Sequence, residues 1–434
     1  MKSYFRLITV LTLLAVLPSV AVSREITLDE AFETALKGNP SMAAAKARIE
    51  RAEEAIRQAR ASYYPTVSLT GSATRQRLSD TSMATLPSGS SQGETYYGTG
   101  ITGQWVLFSG FSTRYLEQAA ALARDQTRSG LEDTRRLLLA SVADAYFSAQ
   151  LALQNRIIAQ ADRQFNQRLL TEADIKLQVG TGSLSDVLNF RIKVNAADIE
   201  MENATFQYDV ARVALAALLG IREPDAKLPE PAVLVDEQAH EMETPDLSSL
   251  VETALSSRPD IRSSALGLQA SRAELGAARS AYYPVLSIQG SLDADRSGGP
   301  GVDSGDISNT VSLVASYPIF EGWKTSAAVS GANAAVKEAE KNLDSLETQT
   351  VAGVRSAVST VVTTQKQLAL LKTSAELTRQ TRDLVEQEYL AGSTSLVRLN
   401  EAQKEMTTSQ GRLALGLVTL RQAWYSLKAQ TGDL

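Results

Sequence analysis

The sequence predicts a mainly α-helical, internally duplicated chain with a transmembrane β-barrel portion to which each chain gives four strands. Three observations carry this expectation. Motifs recur in one order at nearly constant offsets, four segments alternate between polar and apolar residues, and two very long runs contain no proline.

The repeat is the strongest of the three. Glu33-Thr34-Ala35-Leu36-Lys37-Gly38-Asn39-Pro40 returns as Glu252-Thr253-Ala254-Leu255-Ser256-Ser257-Arg258-Pro259, and Tyr63-Tyr64-Pro65 returns as Tyr282-Tyr283-Pro284, a shift of 219 positions (33 to 252, 63 to 282). Further on, Val106-Leu107-Phe108-Ser109-Gly110-Phe111 matches Pro318-Ile319-Phe320-Glu321-Gly322-Trp323, and Gly180-Thr181-Gly182-Ser183-Leu184 matches Gly392-Ser393-Thr394-Ser395-Leu396, now shifted by 212 (108 to 320, 180 to 392). The first copy therefore carries about seven extra residues between its strands, where Ser79 to Glu94 has the Ser, Gly and Pro content of an exposed loop.

At the N-terminus, Lys2 and Arg6 precede an apolar run from Leu7 to Leu17 and then Pro18-Ser19-Val20-Ala21-Val22-Ser23, which reads as a secretory signal peptide over residues 1–23. The run is shorter than a membrane-spanning helix, and no later segment is expected to span as one. The first repeat is expected over 24–221, with strands at about 66–76 and 95–107 and long helices at about 112–178 and 185–219. A linker, 222–246, leads to the second repeat over 247–434, with strands at about 285–295 and 309–319 and helices at about 324–389 and 397–429.

Each strand has two faces. Val67, Leu69, Gly71 and Ala73 oppose Thr66, Ser68, Thr70, Ser72 and Thr74; on the return strand Tyr97, Thr99, Ile101, Gly103 and Trp105 oppose Tyr96, Gly98, Gly100, Thr102 and Gln104. In the second copy Leu286, Ile288, Gly290, Leu292 and Ala294 oppose Ser287, Gln289, Ser291, Asp293 and Asp295, and Val311, Leu313, Ala315 and Tyr317 oppose Thr310, Ser312 and Ser316, with Val314 breaking the polar face. Soluble hairpins lying on a core would alternate in the same way. The polar faces hold small hydroxyls, amides, carboxylates and glycine, and aromatics gather at the strand ends, as in a water-filled barrel with an interfacial girdle.

The proline-free runs could each extend roughly 100 Å as helix. Leu139, Val142, Tyr146, Ala149 and Leu153, and Val351, Val354, Val358, Val361, Gln365 and Leu368, follow the three-four spacing of a coiled-coil seam. The formal net charge of −6 becomes −8 without Lys2 and Arg6, and the basic residues are scattered, which argues against nucleic acid. With no cysteine there is no disulfide, thiolate site or lipid-bearing N-terminal cysteine. No catalytic constellation is present: His240, the single histidine, stands among Glu237, Glu241 and Glu243 in the linker and reads as a solvated loop rather than a metal site, so no cofactor is expected. Gly98 to Gly103 fits G-x-G-x-x-G but opens no helix, so it reads as strand glycines.

Four strands cannot close a barrel, and open edges in lipid leave backbone groups unpaired, so other copies of the chain must supply the remaining strands. The doubled order of helix, Tyr-Tyr-Pro, hairpin, F-x-G, long helix and glycine turn resembles the TolC-like outer-membrane efflux proteins over essentially the whole sequence after residue 23. The resemblance implies a homotrimer in the outer membrane: a twelve-stranded barrel joined to a twelve-helix periplasmic α-barrel. It also implies an equatorial belt from Leu28 to Lys37, Glu223 to Pro245 and Leu250 to Ser257. Such a duct exports small toxic molecules, secreted polypeptides or both, passively, with a periplasmic adaptor and an inner-membrane ABC or proton-driven transporter as partners. A periplasmic coiled-coil scaffold is the alternative reading.

The resemblance also assigns site residues. Gly180, Gly182, Leu184, Gly392 and Leu396 mark the adaptor-docking tip. Ser185 and Asp186 match the hydroxyl and acid of the aperture, and Tyr389 matches the tyrosine that bonds the acid. Two positions depart from the pattern: Thr394 stands where relatives place a latch arginine, and Arg398 where they place the first of two ring acids, leaving Glu401 as the second. Arg398 can instead pair with Asp186 or Glu401, and Asp186 can simply start its helix.

Overall fold

A computed structural model describes residues 25–83, 93–223, 227–235, 245–297 and 299–434. The expected signal peptide, His240 with its neighbouring glutamates, and parts of the 79–94 and 222–246 segments lie outside them.

A short strand β1 (Glu25–Ile26) leads into helix α1 (Leu28–Gly38). Thr27 starts that helix with a reciprocal capping box, its hydroxyl accepting from Glu30 N while Glu30 accepts from Thr27 N. Asn39 then ends α1 and caps α2 (Pro40–Ala61), whose first residue is the proline that a helix start tolerates. Strand β2 (Thr66–Arg77), a one-turn helix α3 (Asp80–Met83) and strand β3 (Gly93–Ser109) complete the first hairpin. The long helix α4 (Ser112–Gln178) and the returning α5 (Leu184–Leu219) follow.

The second repeat copies this order after strand β4 (Glu230–Pro231), which pairs in parallel with β1. Its elements are α6 (Leu247–Ser257), α7 (Pro259–Arg279), β5 (Val285–Ser297), β6 (Ile307–Ser316), α8 (Lys324–Leu390) and α9 (Leu396–Thr431). Strand β6 departs from its expected span: it ends at Ser316, because the following Tyr317-Pro318 cannot extend the ladder, and it starts at Ile307 after a one-turn 3₁₀ helix over Ser304–Asp306.

The duplication governs the core. Around Ala35, Val142 and Leu215 lies one buried cluster; around their repeat counterparts Ala254, Val354 and Leu427 lies another. Ala35, Val142, Ala254 and Val354 are fully buried, because each short helix seats an alanine against a valine of a long one. The seam residues Leu139, Val142, Tyr146, Ala149 and Leu153 are all buried. One window of α4 is long and apolar enough to cross a membrane, contrary to the expectation from hydropathy, but half of it is buried inside the chain.

The four hairpin strands form one antiparallel sheet in the order β2-β3-β5-β6. Its junction with the long helices explains the F-x-G motif. Gly110 (φ 62°) and Phe111 (φ 71°) are both left-handed, as are Gly322 (φ 59°) and Trp323 (φ 68°). A Cβ on Gly110 would strike the carbonyl oxygen of Ser280 and come within 2.8 Å of the Tyr283 Cβ, so only glycine lets the strand turn this sharply into α4. The strain at Phe111 is offset by edge-on ring contacts with Phe108 (5.2 Å) and Tyr283 (6.3 Å).

Candidate functional site

Two regions gather the chemistry. In the sheet, the registers carry each polar position across all four strands. Ser68, Thr102, Ser291 and Thr310 form one row, and Thr66, Gln104, Gln289 and Ser312 the next. On the opposite face Leu69, Ile101 and Leu292 align, as do Trp105, Ile288 and Leu313. A sheet with one wet face and one mostly apolar face, interrupted by Asn309 opposite Leu292, can separate water from lipid. Ser287 is an exception among the polar positions, since it is buried between Val106 and Val314 of the neighbouring strands. Asp295 Oδ1 lies 2.7 Å from where a Cβ on Gly98 would be, so the false dinucleotide glycines leave room for carboxylates on the polar face.

The other region is the end of the four long helices. Gly180 (φ 79°) and Gly392 (φ 76°) close α4 and α8 in left-handed turns, with Thr181 N bonded back to Lys176 O and Ser393 N to Glu388 O. Gly182 N also reaches Lys176 O (2.8 Å). Ser183 and Ser395 cap the returning helices through Ser185 N and Arg398 N. Below the turns Phe165, Leu169, Val187, Phe190, Val385 and Leu399 make a buried cluster to which all four helices contribute, flanked by Leu396 and Tyr389.

Asp186 therefore stands in the first turn of α5, where the helix N-terminus favours an anion, and the capping role falls to Ser183. Tyr389 packs on Phe190 (6.4 Å between ring centroids), with Lys176 Nζ 5.3 Å from its ring. Burial, then the negative charges of Asp186 and Glu172, push the Tyr389 hydroxyl above its ordinary pKa, so it remains a proton donor. Among the described residues no hydrogen bond joins Asp186 to Tyr389 within one chain, and Arg398 and Glu401, both exposed, form no ion pair. Leu184 is exposed at the tip and Thr394 half-exposed.

Further polar links between the two helix pairs begin at Glu386, one turn from Tyr389 on α8. Glu386 of α8 accepts from Arg168 of α4 and from Arg382, each at 2.8 Å. Asp162 of α4 accepts from Gln403 Nε2 (2.6 Å) and Thr407 Oγ1 (3.3 Å) of α9. Asp162, Gln403 and Thr407 line a cavity of about 280 Å³ into which Phe165, Arg168, Arg382 and Met406 also project. Sequence reasoning missed them, because lone polar residues on long polar helices carry no spacing signature; the one available cue is that Asp162 and Gln403 interrupt otherwise apolar seams.

The chain matches the family described as outer membrane efflux protein over residues 31–221 and 250–433, both repeats. It is 25% identical to protein CyaE of Bordetella pertussis over 411 residues, covering 94% of this chain and 85% of that one. It is 26% identical to the pyoverdine export outer membrane protein OpmQ of Pseudomonas putida, covering 93% of this chain and 85% of that one. The fold is that of the Campylobacter jejuni CmeC outer membrane channel, with a TM-score of 0.79 at 18% identity over 93% of this chain and 85% of that one. This chain belongs to the outer membrane efflux protein family, as an outer-membrane channel of TolC-like fold with a long helical periplasmic part.

Proposed function

We propose that three copies of this chain form a passive duct through which an inner-membrane ABC or proton-driven transporter and its periplasmic adaptor expel cargo across the outer membrane. The open sheet carries this reading. Among the described residues strands β2 and β6 have no partner on their outer edges, both are exposed along nearly their whole length, and such edges are untenable in lipid unless another copy pairs with them. Two unpartnered heptad stripes favour the same assembly. On α5 Ile192, Ile199, Phe206 and Val213 are 67%, 64%, 62% and 55% exposed, and on α8 Leu370, Leu377 and Leu384 are 71%, 58% and 60% exposed.

In the assembled ring the turns at Gly180, Gly182 and Leu184 and at Gly392 and Leu396 form the tip that meets the adaptor. The aperture closes there, with Asp186 receiving a hydrogen bond from Tyr389, and Ser185, Thr394, Arg398 and Glu401 set its charge. The cargo is a small toxic molecule, a secreted polypeptide or both. OpmQ is named for pyoverdine export and SrpC of Pseudomonas putida for solvent efflux, which favours small molecules.

Carbonate washing tests location, since a barrel stays with outer membranes and a scaffold is released. Ile199→Glu with Leu377→Glu should abolish the trimer on gels and in light scattering; a trimer that survives both charges would refute the helical interface. Deleting the gene and comparing drug susceptibility with the secreted-protein profile identifies the cargo.

A further inference from the structure

The four barrel strands carry six charged residues, and they sort completely by face and by sign. Glu94, Asp293 and Asp295 occupy the polar face, in register with Gln76, Gly100 and Gly98 respectively. Arg75, Arg77 and Arg296 occupy the apolar face, where Arg75 lies opposite Thr95, Arg77 opposite Gly93, and Arg296 opposite Tyr97. Asp293 stands mid-sheet, level with Gly100 and Thr70, and the other five lie toward the end remote from the long helices.

Position along the strand fixes their depth. Val67 lies near the aromatic rim at the helix end, where Trp105 Nε1 donates to Tyr63 O. Eight residues further on, at about 3.3 Å each and a tilt of about 40°, Arg75 stands roughly 20 Å above that rim, at the far margin of an apolar band about 25 Å tall. Arg77 lies just beyond it. An outward cation at that depth meets lipid headgroups, not acyl chains or the lumen.

The three arginines differ in occupancy. Arg296 is engaged by its own turn, bonding Asp303 Oδ2 at 2.8 Å and Gly301 O at 3.2 Å, with Asp306 at 3.6 Å. Arg75 and Arg77 are exposed and have no ion pair among the described residues, and no acid of the strands faces outward to supply one. The adjoining loop carries one acid in the sequence, Asp80, and none over 84–92. Two guanidinium forks on one face, about 7 Å apart along the strand, match the oxygens of a phosphomonoester or of two on one headgroup.

We propose that Arg75 and Arg77 bind the phosphomonoesters of the glycolipid in the outer leaflet, fastening the external rim of the barrel to that leaflet. This rests on the barrel reading above. The segregation of charge serves it: acids kept inside leave the outward face free of repulsion toward a phosphate, and the arginines are kept out of the export path.

The test uses the purified assembly in nanodiscs, with native mass spectrometry counting retained bis-phosphorylated lipid A against enzymatically dephosphorylated lipid A. Wild type should prefer the phosphorylated lipid by about 30-fold, the effect of two arginines acting at a charged headgroup. Arg75→Gln with Arg77→Gln should remove that preference while trimer yield and conductance persist, and Arg75→Lys with Arg77→Lys should keep part of it. Equal retention of the two lipids by wild type, or an unchanged preference in the glutamine variant, would overturn the proposal while a carbonate-resistant, conducting trimer upheld the barrel. Displacement of the lipid by millimolar inorganic phosphate would also overturn it, by showing a free anion to be the occupant.

Discussion

Arg136 of α4 donates through Nη1 to the carbonyl oxygen of Ala429 in α9, 2.6 Å away and 293 positions along the chain. Its Nη2 bonds Asp133 Oδ1 at 2.6 Å and approaches Asp260 Oδ2 at 3.9 Å, while Arg258 bonds the same Asp260 and the carbonyl oxygen of Gln430. Two arginines, 4% and 8% exposed, therefore cap the carbonyl end of α9 and join the two repeats. The matching joint of the first repeat is made with neutral groups, Asn39 Nδ2 donating to Leu218 O.

Removing Arg136 would leave Asp133 and Asp260 without part of their counter-charge and a buried carbonyl unbonded. Arg136→Ala should destabilise the chain by about 3–5 kcal/mol, seen as a lowered thermal midpoint in detergent. The exposed neighbour Arg135 supplies the control: Arg135→Ala should shift the midpoint by less than about 0.5 kcal/mol.

The same joint predicts a pH dependence. Burial alone would raise the Asp260 pKa, but hydrogen bonds and charge from Arg258, then the charge of Arg136, outweigh it and hold the carboxyl below its ordinary value. A depressed folded pKa gives stability that is present above the unfolded value of about 4 and lost as pH falls through the folded one. Asp260→Asn should therefore unfold more readily than wild type at neutral pH, and the gap should narrow on acidification below about pH 4. A gap that widens in acid would reverse this assignment.

The two faces of the sheet should respond oppositely to charge. Leu69, 77% exposed on the apolar face, lies directly opposite Ile101; Leu69→Arg should cost about 2–4 kcal/mol near the midplane and lower the trimer yield. Ser68→Arg, one residue away on the polar face, should be tolerated. Ser287→Arg should not, because burial between Val106 and Val314 overrides its place on the wet face.

At the mouth, Asp186→Ala combined with Tyr389→Phe should raise single-channel conductance in planar bilayers and admit large antibiotics. Each of three such hydrogen bonds is worth about 1.5–3 kcal/mol before solvent reduces it. If Arg398 has taken over the closure, Arg398→Ala alone should open the pore and Tyr389→Phe should have no effect. Constant conductance across these variants would place the closure instead in the links of Glu386 to Arg168 and Arg382.

By itself the sequence determined the duplication, the strand faces, the long helices and their glycine turns. Each of these is written in a period or a backbone requirement: alternation at two residues, seams at three and four, a glycine where φ must be positive. The packing of Ala35 near Val142 was decided in three dimensions, and the repeat offset only says that Ala254 and Val354 hold the matching positions. Only the tertiary structure decided that β3 lies beside β5, which joins the two hairpins into one sheet and buries Ser287. It also decided that Arg136 reaches Ala429, that Glu386 holds Arg168, and that Asp162 holds Gln403. Those contacts join single polar side chains on elements more than two hundred residues apart. A lone arginine on a polar helix looks the same in sequence whether it faces water or a buried carbonyl, and only the crossing of the helices in space distinguishes the two.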